Sequence, residues 1–201
     1  TVLELFHAAG GRVIDSSPMY GLAEEVIGRL RGGLDPESPN ALDLFTATKV
    51  WTRGDSAGRR QIQNSFSLLK EIDLLQVHNL LDLETHWPYL QELKATGKIR
   101  YTGITHYTES GYEDLMDAIR KYDVDFAQFN YNVLAREAEK ELLPLCMEKQ
   151  VATSALYIHI KGEQIYTIYS KLRCLQASTE LGIGFYAVLL FCVILKLESN
   201  S

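Results

Sequence analysis

Four side chains that could do acid–base chemistry follow three successive apolar runs of this sequence. Asp15 and Tyr20 follow the first run, Lys49 ends the second, and His78 ends the third. If these runs are neighbouring parallel strands, the four side chains converge on one rim, because the carboxyl ends of parallel strands meet at the same edge of a sheet. An ammonium beside a phenol favours the phenolate, so such a set could transfer protons at neutral pH.

The elements that must position these residues alternate between strand and helix patterns with short loops. We predict strands at 12–15, 44–49, 73–77, 99–104, 124–129 and 151–155, and helices at 1–9, 21–31, 58–70, 84–96, 109–121 and 136–149. Such alternation indicates βα units and a parallel sheet. A doubly wound sheet and a (β/α)₈ barrel both fit. No Gly-x-Gly-x-x-Gly turn follows the first strand, and polar residues at several strand ends favour the barrel.

Composition limits the classes of protein that this chain can belong to. The 201 residues are 46% hydrophobic and 23% charged, which is typical of an ordinary globular domain. The net charge is −6 and no basic stripe is present, so we expect no nucleic-acid partner. The three cysteines fit no metal or disulfide spacing: Cys146, Cys174 and Cys192. Together with the lack of a signal peptide, this predicts a reducing, cytoplasmic location.

The periodic pattern ends near residue 155, which predicts a βα part at 1–155 and a divergent apolar tail at 156–201. Within the tail, Leu181–Leu195 carries no charge. It is shorter than the roughly 20 residues that cross a bilayer, so it is a weak membrane candidate and a buried segment is favoured.

Five motifs, in order along the chain, resemble those of the aldo/keto reductase family. They are Val13–Gly21, with Asp-x-x-x-x-Tyr-Gly; Thr48-Lys49; Leu74–His78; Gly97–Ile104; and Gln128–Tyr131. The resemblance covers about residues 1–155. It implies an α/β chain of the (β/α)₈ TIM-barrel type that is incomplete, with the second to seventh strands recognisable.

The resemblance also implies NADPH-dependent reduction of aldehydes and ketones, with small carbonyl compounds as substrates and no metal. The residues that match the family's catalytic positions are Asp15, Tyr20, Lys49 and His78, and those that match its nicotinamide carboxamide site are Thr105, His106 and Gln128. The pair after the fifth strand is usually Ser-Asn in the family and is Thr105-His106 here.

The chemistry of carbonyl reduction explains these residue types. Tyr20 would donate a proton to the carbonyl oxygen, and Lys49 would make the phenol a stronger acid. Asp15 would keep Lys49 charged and oriented, and His78 would hydrogen-bond the carbonyl oxygen.

The chain also departs from the family pattern. The family's first strand would precede residue 1, Leu156-Tyr157 stand where an aromatic residue is expected against the nicotinamide, and the residues that clamp the 2′-phosphate are not recognisable. Two alternatives therefore stay open, an inactive reductase fragment and a non-catalytic nucleotide-binding or regulatory module. Open sheet edges would favour self-association, unless a tail strand such as Val188–Leu197 covers one of them.

Two further features are open to interpretation. His78 and His86, with Asp82 and Glu84 between them, fit no known metal-ligand spacing and are better explained as solvated loop residues. Trp51 could line a substrate pocket or serve in packing.

Overall fold

The structure is a computed structural model that describes residues 2–32, 44–132 and 135–156. Strands and helices alternate through these ranges, as predicted. They are α1 Val2–Ala8, β1 Val13–Asp15, α2 Ala23–Gly32, β2 Phe45–Val50, α3 Asp55–Leu69, β3 Leu74–Val77, α4 Leu83–Ala95, β4 Tyr101–His106, α5 Tyr112–Lys121, β5 Phe126–Asn130, α6 Leu142–Glu148 and β6 Ala152–Leu156. Short 3₁₀ turns lie at His78–Leu80, Glu109–Gly111 and Glu137–Glu139.

The six strands form one sheet whose order, β1-β2-β3-β4-β5-β6, is the order of the chain. The pairs β1–β2, β2–β3, β4–β5 and β5–β6 are parallel. Strand β3 is buried at all four positions, and β2 at five of six. Burial on both faces is typical of a parallel sheet that is covered by helices. The predicted parallel βα architecture is therefore confirmed.

Contacts divide the described residues into two compact units. The first contains residues 2–77 and 81–102, apart from the undescribed 33–43, and the second contains 78–80 and 103–156, apart from 133–134.

In the first unit, Asp73 joins the amino-terminal ends of β2 and β4. Its Oδ2 accepts a hydrogen bond from the Thr46 backbone N–H at 2.8 Å, and its Oδ1 lies 3.1 Å from Arg100 Nη1. Helices α2 and α3 pack closely because Gly28 has no side chain: a Cβ there would lie 1.9 Å from the Leu68 carbonyl oxygen. The parallel pairing places Ile14 of β1 opposite Thr46 of β2, and Thr48 of β2 opposite Leu75 of β3.

In the second unit, α5 is anchored on β5 by Tyr112. The Tyr112 hydroxyl donates to the Asn130 carbonyl oxygen, and its ring packs edge-on against Phe129 with the centroids 5.9 Å apart. Burial raises the pKa of Tyr112 to about 12, so this phenol stays neutral across the physiological range. Cys146 of α6 is buried too, and burial raises the pKa of its thiol to about 12, which makes it an unreactive core residue.

Several predicted boundaries were wrong. Helix α6 begins at Leu142, six residues after the predicted start, and helix α5 begins at Tyr112, three residues after it, because a 3₁₀ turn precedes each of them. Helix α3 begins at Asp55, three residues before the predicted start, so Gly58 lies inside the helix. Strand β4 spans Tyr101–His106, and Thr105 and His106 therefore belong to the strand.

Several predictions for the tail lie outside the described residues. These are the tail 156–201 beyond Leu156, the boundary at 155, the segments Leu181–Leu195 and Val188–Leu197, and Tyr157. Within the ranges that the structure describes, no helix is long and apolar enough to cross a membrane.

Candidate active site

Lys49 lies near the carboxyl end of β2 and forms a buried ion pair with Asp15 at the end of β1. Its Nζ contacts Asp15 Oδ2 and lies 2.8 Å from the Ser16 carbonyl oxygen. The two side chains are only 1% and 2% exposed. Because the desolvation of a charge must be repaid by close partners, this pair is held by specific contacts and not by surface attraction. Gln76 of β3 adds another, donating from Nε2 to Asp15 Oδ1 at 3.0 Å.

Tyr20 lies beside this ion pair. The loop after β1 folds back in a turn in which the Tyr20 N–H donates to the Ser17 carbonyl oxygen at 2.9 Å. This turn places the half-buried Tyr20 ring under the ammonium, with Lys49 Nζ 5.3 Å from the ring centroid. The structure thus brings together three of the predicted catalytic residues in the first unit: Asp15, Tyr20 and Lys49.

A second carboxylate, which sequence reasoning missed, lies behind Lys49. Glu24, in the first turn of α2, is 3% exposed. Its Oε1 accepts from Thr48 Oγ1 at 2.5 Å, and its Oε2 accepts from Ser65 Oγ at 3.1 Å. Burial raises the pKa of Glu24, and the two hydrogen bonds and the charge of Lys49 oppose that rise. Glu24 therefore ties α2, β2 and α3 together next to the lysine.

The loop that follows Lys49 is fixed by side chains of the helices beside it. The Trp51 N–H donates to Gln61 Oε1 at 2.6 Å, His86 Nε2 lies 2.8 Å from the Thr52 carbonyl oxygen, and the Gly54 N–H donates to Asp82 Oδ2 at 2.6 Å. The Trp51 side chain itself is 40% exposed.

His78 belongs to the second unit and begins the 3₁₀ turn after β3, where it is 7% exposed. The next residue, Asn79, has left-handed backbone angles of φ 54° and ψ 33°. A non-glycine residue in this region is uncommon and marks a turn that its surroundings must hold. One such contact is visible: the Asn79 N–H donates to Thr105 Oγ1 at 3.1 Å.

The predicted carboxamide-binding residues also lie in the second unit, on β4 and β5. Thr105 and Gln128 are register partners on neighbouring strands, and each is 1% exposed. The Gln128 Nε2 donates to Ser154 Oγ of β6 at 3.4 Å.

His106 follows Thr105 but lies in a different environment from Thr105 and Gln128, because it is only partly buried. Its ring packs on Gly111, where a Cβ would lie 2.1 Å from Nδ1, and stacks on Tyr107 with the centroids 5.7 Å apart. Its Nδ1 lies 3.3 Å from the Thr108 backbone nitrogen. The ring is therefore held against the loop after β4.

No metal centre is indicated by the part of the chain that the structure describes, which contains no group of three or more possible ligands. The interpretation of His78 and His86 as solvated loop residues is wrong: both side chains are buried, at 7% and 2% exposure. His86 lies within α4, where its ring hydrogen-bonds the Thr52 carbonyl oxygen and covers Gly58, because the helix that carries it packs against α3 and the loop after β2.

Comparison with known proteins shows which protein family this chain belongs to. The model of the aldo/keto reductase family matches residues 1–158. This chain belongs to that family. It is 29% identical over 185 residues to the NADH-specific methylglyoxal reductase of Escherichia coli K12, covering 75% of this chain and 53% of that protein. It is 28% identical over 171 residues to the aldo-keto reductase YhdN of Bacillus subtilis 168, covering 76% of this chain and 50% of that protein.

A solved structure supports the same assignment. The aldo-keto reductase of Klebsiella pneumoniae, crystallised in complex with NADPH, superimposes with a TM-score of 0.58 at 28% identity, over 77% of this chain and 54% of that one. The fold is thus an incomplete (β/α)₈ barrel of the aldo/keto reductase family, with six parallel strands in the described ranges. The chain spans about half the length of the curated relatives to which it is compared.

Three side chains near the family's site residues were not found by sequence reasoning: Glu24, Gln76 and Ser154. Gln76 carried a usable signal, because it is the polar residue in the otherwise apolar run Leu74–Val77. Glu24 and Ser154 carried none, since an acidic residue at a helix start and a serine in a strand are both common.

Proposed function

We propose that this chain reduces the carbonyl group of small aldehydes or ketones to an alcohol, with a nicotinamide dinucleotide as the hydride donor. The observation that carries the proposal is the buried Lys49–Asp15 ion pair beside the Tyr20 ring. A cation held at a phenol favours its ionised form and so makes it a better acid. Membership of the aldo/keto reductase family supports the same reaction.

The proton is supplied by Tyr20 in this proposal. The Tyr20 O–H bond breaks as its proton passes to the carbonyl oxygen, and the resulting phenolate is stabilised by Lys49. Asp15 and the Ser16 carbonyl oxygen hold the ammonium in place. A reduced nicotinamide, when bound, supplies the hydride that the carbonyl carbon accepts.

His78 is proposed to hydrogen-bond the carbonyl oxygen of the substrate. This role rests on the family motif that ends in His78, together with the burial of the side chain at 7% exposure. An imidazole is suited to the role because it can donate a hydrogen bond or a proton near neutral pH.

The residues of β4 and β5 fit a nicotinamide group. Thr105 and Gln128 offer a hydroxyl and an amide in a buried setting, which is where a carboxamide needs polar partners. We propose NADPH as the cofactor, following the resemblance. The relatives differ in their cofactor: one is named as NADH-specific, and another was crystallised with NADPH. Titration with both cofactors decides the preference.

The test is aldehyde-dependent oxidation of NADPH and of NADH by the 201-residue protein, followed at 340 nm, in the wild type and in Tyr20→Phe. We expect Y20F to lower kcat about 100-fold or more while it still binds the cofactor. The matched control is Tyr89→Phe, which keeps the ring that packs on Arg59, 4.0 Å from its guanidinium carbon, and should retain full activity.

Other outcomes favour the alternatives. Saturable cofactor binding without turnover in the wild type would identify a non-catalytic nucleotide-binding module. No binding at millimolar concentrations of either cofactor would mean that the chain does not carry this function.

A further inference from the structure

Two buried carboxyl groups lie near the ammonium of Lys49 in the first unit. Asp15 pairs with Lys49 directly, and Glu24 is joined to the same strand at the preceding residue, because Thr48 Oγ1 donates to Glu24 Oε1 at 2.5 Å. The side chains of all three ionisable residues are buried. The proposed proton transfer uses Lys49 and Asp15 and leaves the second carboxyl group, that of Glu24, without a role.

The surroundings of Glu24 determine which charge acts on it. Helix α3 faces it with the uncharged Ser65, whose Oγ donates to Oε2 at 3.1 Å, and β2 faces it with the uncharged hydroxyl of Thr48. On its own helix, the acidic neighbour Glu25 is exposed. The positive charge of Lys49 acts on Glu24 and opposes the rise that burial causes in its pKa. Coulomb interactions are mutual, so an ionised Glu24 acts on Lys49 with the same energy.

The Tyr20 ring lies in the field of the same ammonium, with Lys49 Nζ 5.3 Å from the ring centroid. A cation at this distance stabilises the phenolate, whereas a negative charge nearby destabilises it. Asp15 and an ionised Glu24 both reduce the positive potential that Lys49 creates at the phenol. Ionisation of Glu24 therefore makes Tyr20 a weaker acid than Lys49 and Asp15 alone would make it.

We propose that Glu24 is a positioning residue that acts on Tyr20 through Lys49: its ionised carboxylate offsets part of the ammonium's field and keeps the phenol protonated to a higher pH. A general acid must carry its proton at the start of each turnover, so Glu24 extends the pH range in which Tyr20 can serve as the acid. This inference rests on the proposed function and adds to it the residue that sets the upper end of that pH range.

The test is an NMR titration of the Tyr20 phenol in the full chain, with the tyrosines isotope-labelled at Cζ and the Tyr20 signal assigned by its loss in Tyr20→Phe. We expect Glu24→Gln, which removes the charge at nearly constant shape, to lower the titration midpoint of Tyr20 by about 0.5–1 pH unit. The matched control is Glu25→Gln, which removes a charge from the exposed neighbour and should leave the midpoint within about 0.2 pH unit of the wild type.

Two further measurements separate the charge of Glu24 from its packing. Glu24→Asp keeps the charge, so its Tyr20 midpoint should lie within about 0.3 pH unit of the wild type even if the shorter side chain lowers stability. In carbonyl reduction, the alkaline limb of the pH profile of kcat should move to lower pH in E24Q by the same amount as the Tyr20 midpoint. A loss of packing alone would lower kcat at every pH without moving the limb.

The inference is overturned if the Tyr20 midpoint is the same in E24Q and the wild type, if E25Q shifts it as far as E24Q does, or if E24D does so. The titration requires neither cofactor nor turnover. An unmoved midpoint in a chain that reduces aldehydes therefore overturns this inference and leaves the proposed function standing. A lowered midpoint in a chain without turnover overturns the proposed function and leaves the effect of Glu24 on Tyr20 established.

Discussion

At the scale of single residues, we expect that neutralising only one partner of the ion pair between Lys49 and Asp15 strongly lowers the stability of the protein. Asp15→Asn or Lys49→Met leaves the other charge buried without its partner, which we expect to lower the free energy of unfolding by about 3–5 kcal/mol. The double variant D15N/K49M should lose much less than the sum of the two single losses. Urea unfolding of the four proteins measures this coupling. Additive losses would show that the pair is not coupled.

Glu24 should give the stability of the protein a measurable pH dependence. Burial raises its pKa above the ordinary value of 4.5, so the folded protein holds this proton more tightly than the unfolded chain does. Its contribution to the free energy of unfolding is fully present below pH 4.5 and is lost as the pH rises through the raised pKa. We therefore expect Glu24→Gln to gain stability relative to the wild type as the pH rises from 4 to 8.

Urea midpoints measured across this pH range check the prediction for Glu24. Glu25→Gln is the matched control, because Glu25 is the exposed neighbour in the same first turn of α2 and should follow the wild-type curve. Parallel curves for the wild type and E24Q would contradict the prediction.

The positions of Asp15, Tyr20 and Lys49 could be predicted because each follows or ends an apolar run, and the carboxyl ends of parallel strands meet. Glu24 could not. Its hydroxyl partners Thr48 and Ser65 are 24 and 41 residues away in the chain, so nothing local separates it from the exposed Glu25. The burial of a charge depends on tertiary contacts, which composition and periodicity do not contain.

At the scale of elements, the packing of α2 on α3 depends on Gly28. A methyl group at this position would lie 1.9 Å from the Leu68 carbonyl oxygen, so the two helices would have to move apart. We expect Gly28→Ala to lower the free energy of unfolding by about 1–3 kcal/mol, although alanine is the better helix former. The control is Glu25→Ala, on an exposed position of the same helix. Equal or higher stability of G28A in urea unfolding would refute this packing argument.

The boundaries of two elements show what a sequence pattern leaves out. Gly54 and Gly58 together predict a loop, but Gly58 lies within α3, where the His86 ring packs against it: a Cβ at this position would lie 2.5 Å from the ring. Ile99 predicts an early start for β4 because it is apolar. It is indeed buried, at 2% exposure, yet the strand begins two residues later at Tyr101. Apolar character predicts burial, whereas strand bounds depend on hydrogen bonds to a neighbour.

At the scale of the whole molecule, we expect protection from hydrogen exchange to be uneven within the first unit. Helix α1 has seven residues, among them Leu5 at 74% exposure, whereas β2 and β3 are almost wholly buried. Amides of α1 should therefore exchange within minutes, and those of β2 and β3 should exchange last. Mass spectrometry of peptic peptides covering 2–8 and 45–50 makes the comparison. Slow exchange in α1 would contradict this order of local stability.

The strand order of the molecule could be predicted from the sequence more completely than the contacts of the candidate active site. Short connections between parallel strands leave few alternatives to neighbouring placement, and the observed sheet follows the chain. Periodicity does not reveal the division into two units, because it depends on contacts between residues that are distant in sequence. Self-association through the sheet edges and the character of the tail 156–201 stay predictions.

A sheet whose strand order equals the chain order can also be assembled in the order of translation. When each strand after β1 emerges from the ribosome, the strand that it pairs with has already been synthesised, so pairing does not depend on a segment later in the chain. The bond between Asp15 and Lys49 joins the first two strands. The proposed acid–base residues Asp15, Tyr20 and Lys49 can therefore come together on the nascent polypeptide while β4, β5 and β6 are still being synthesised.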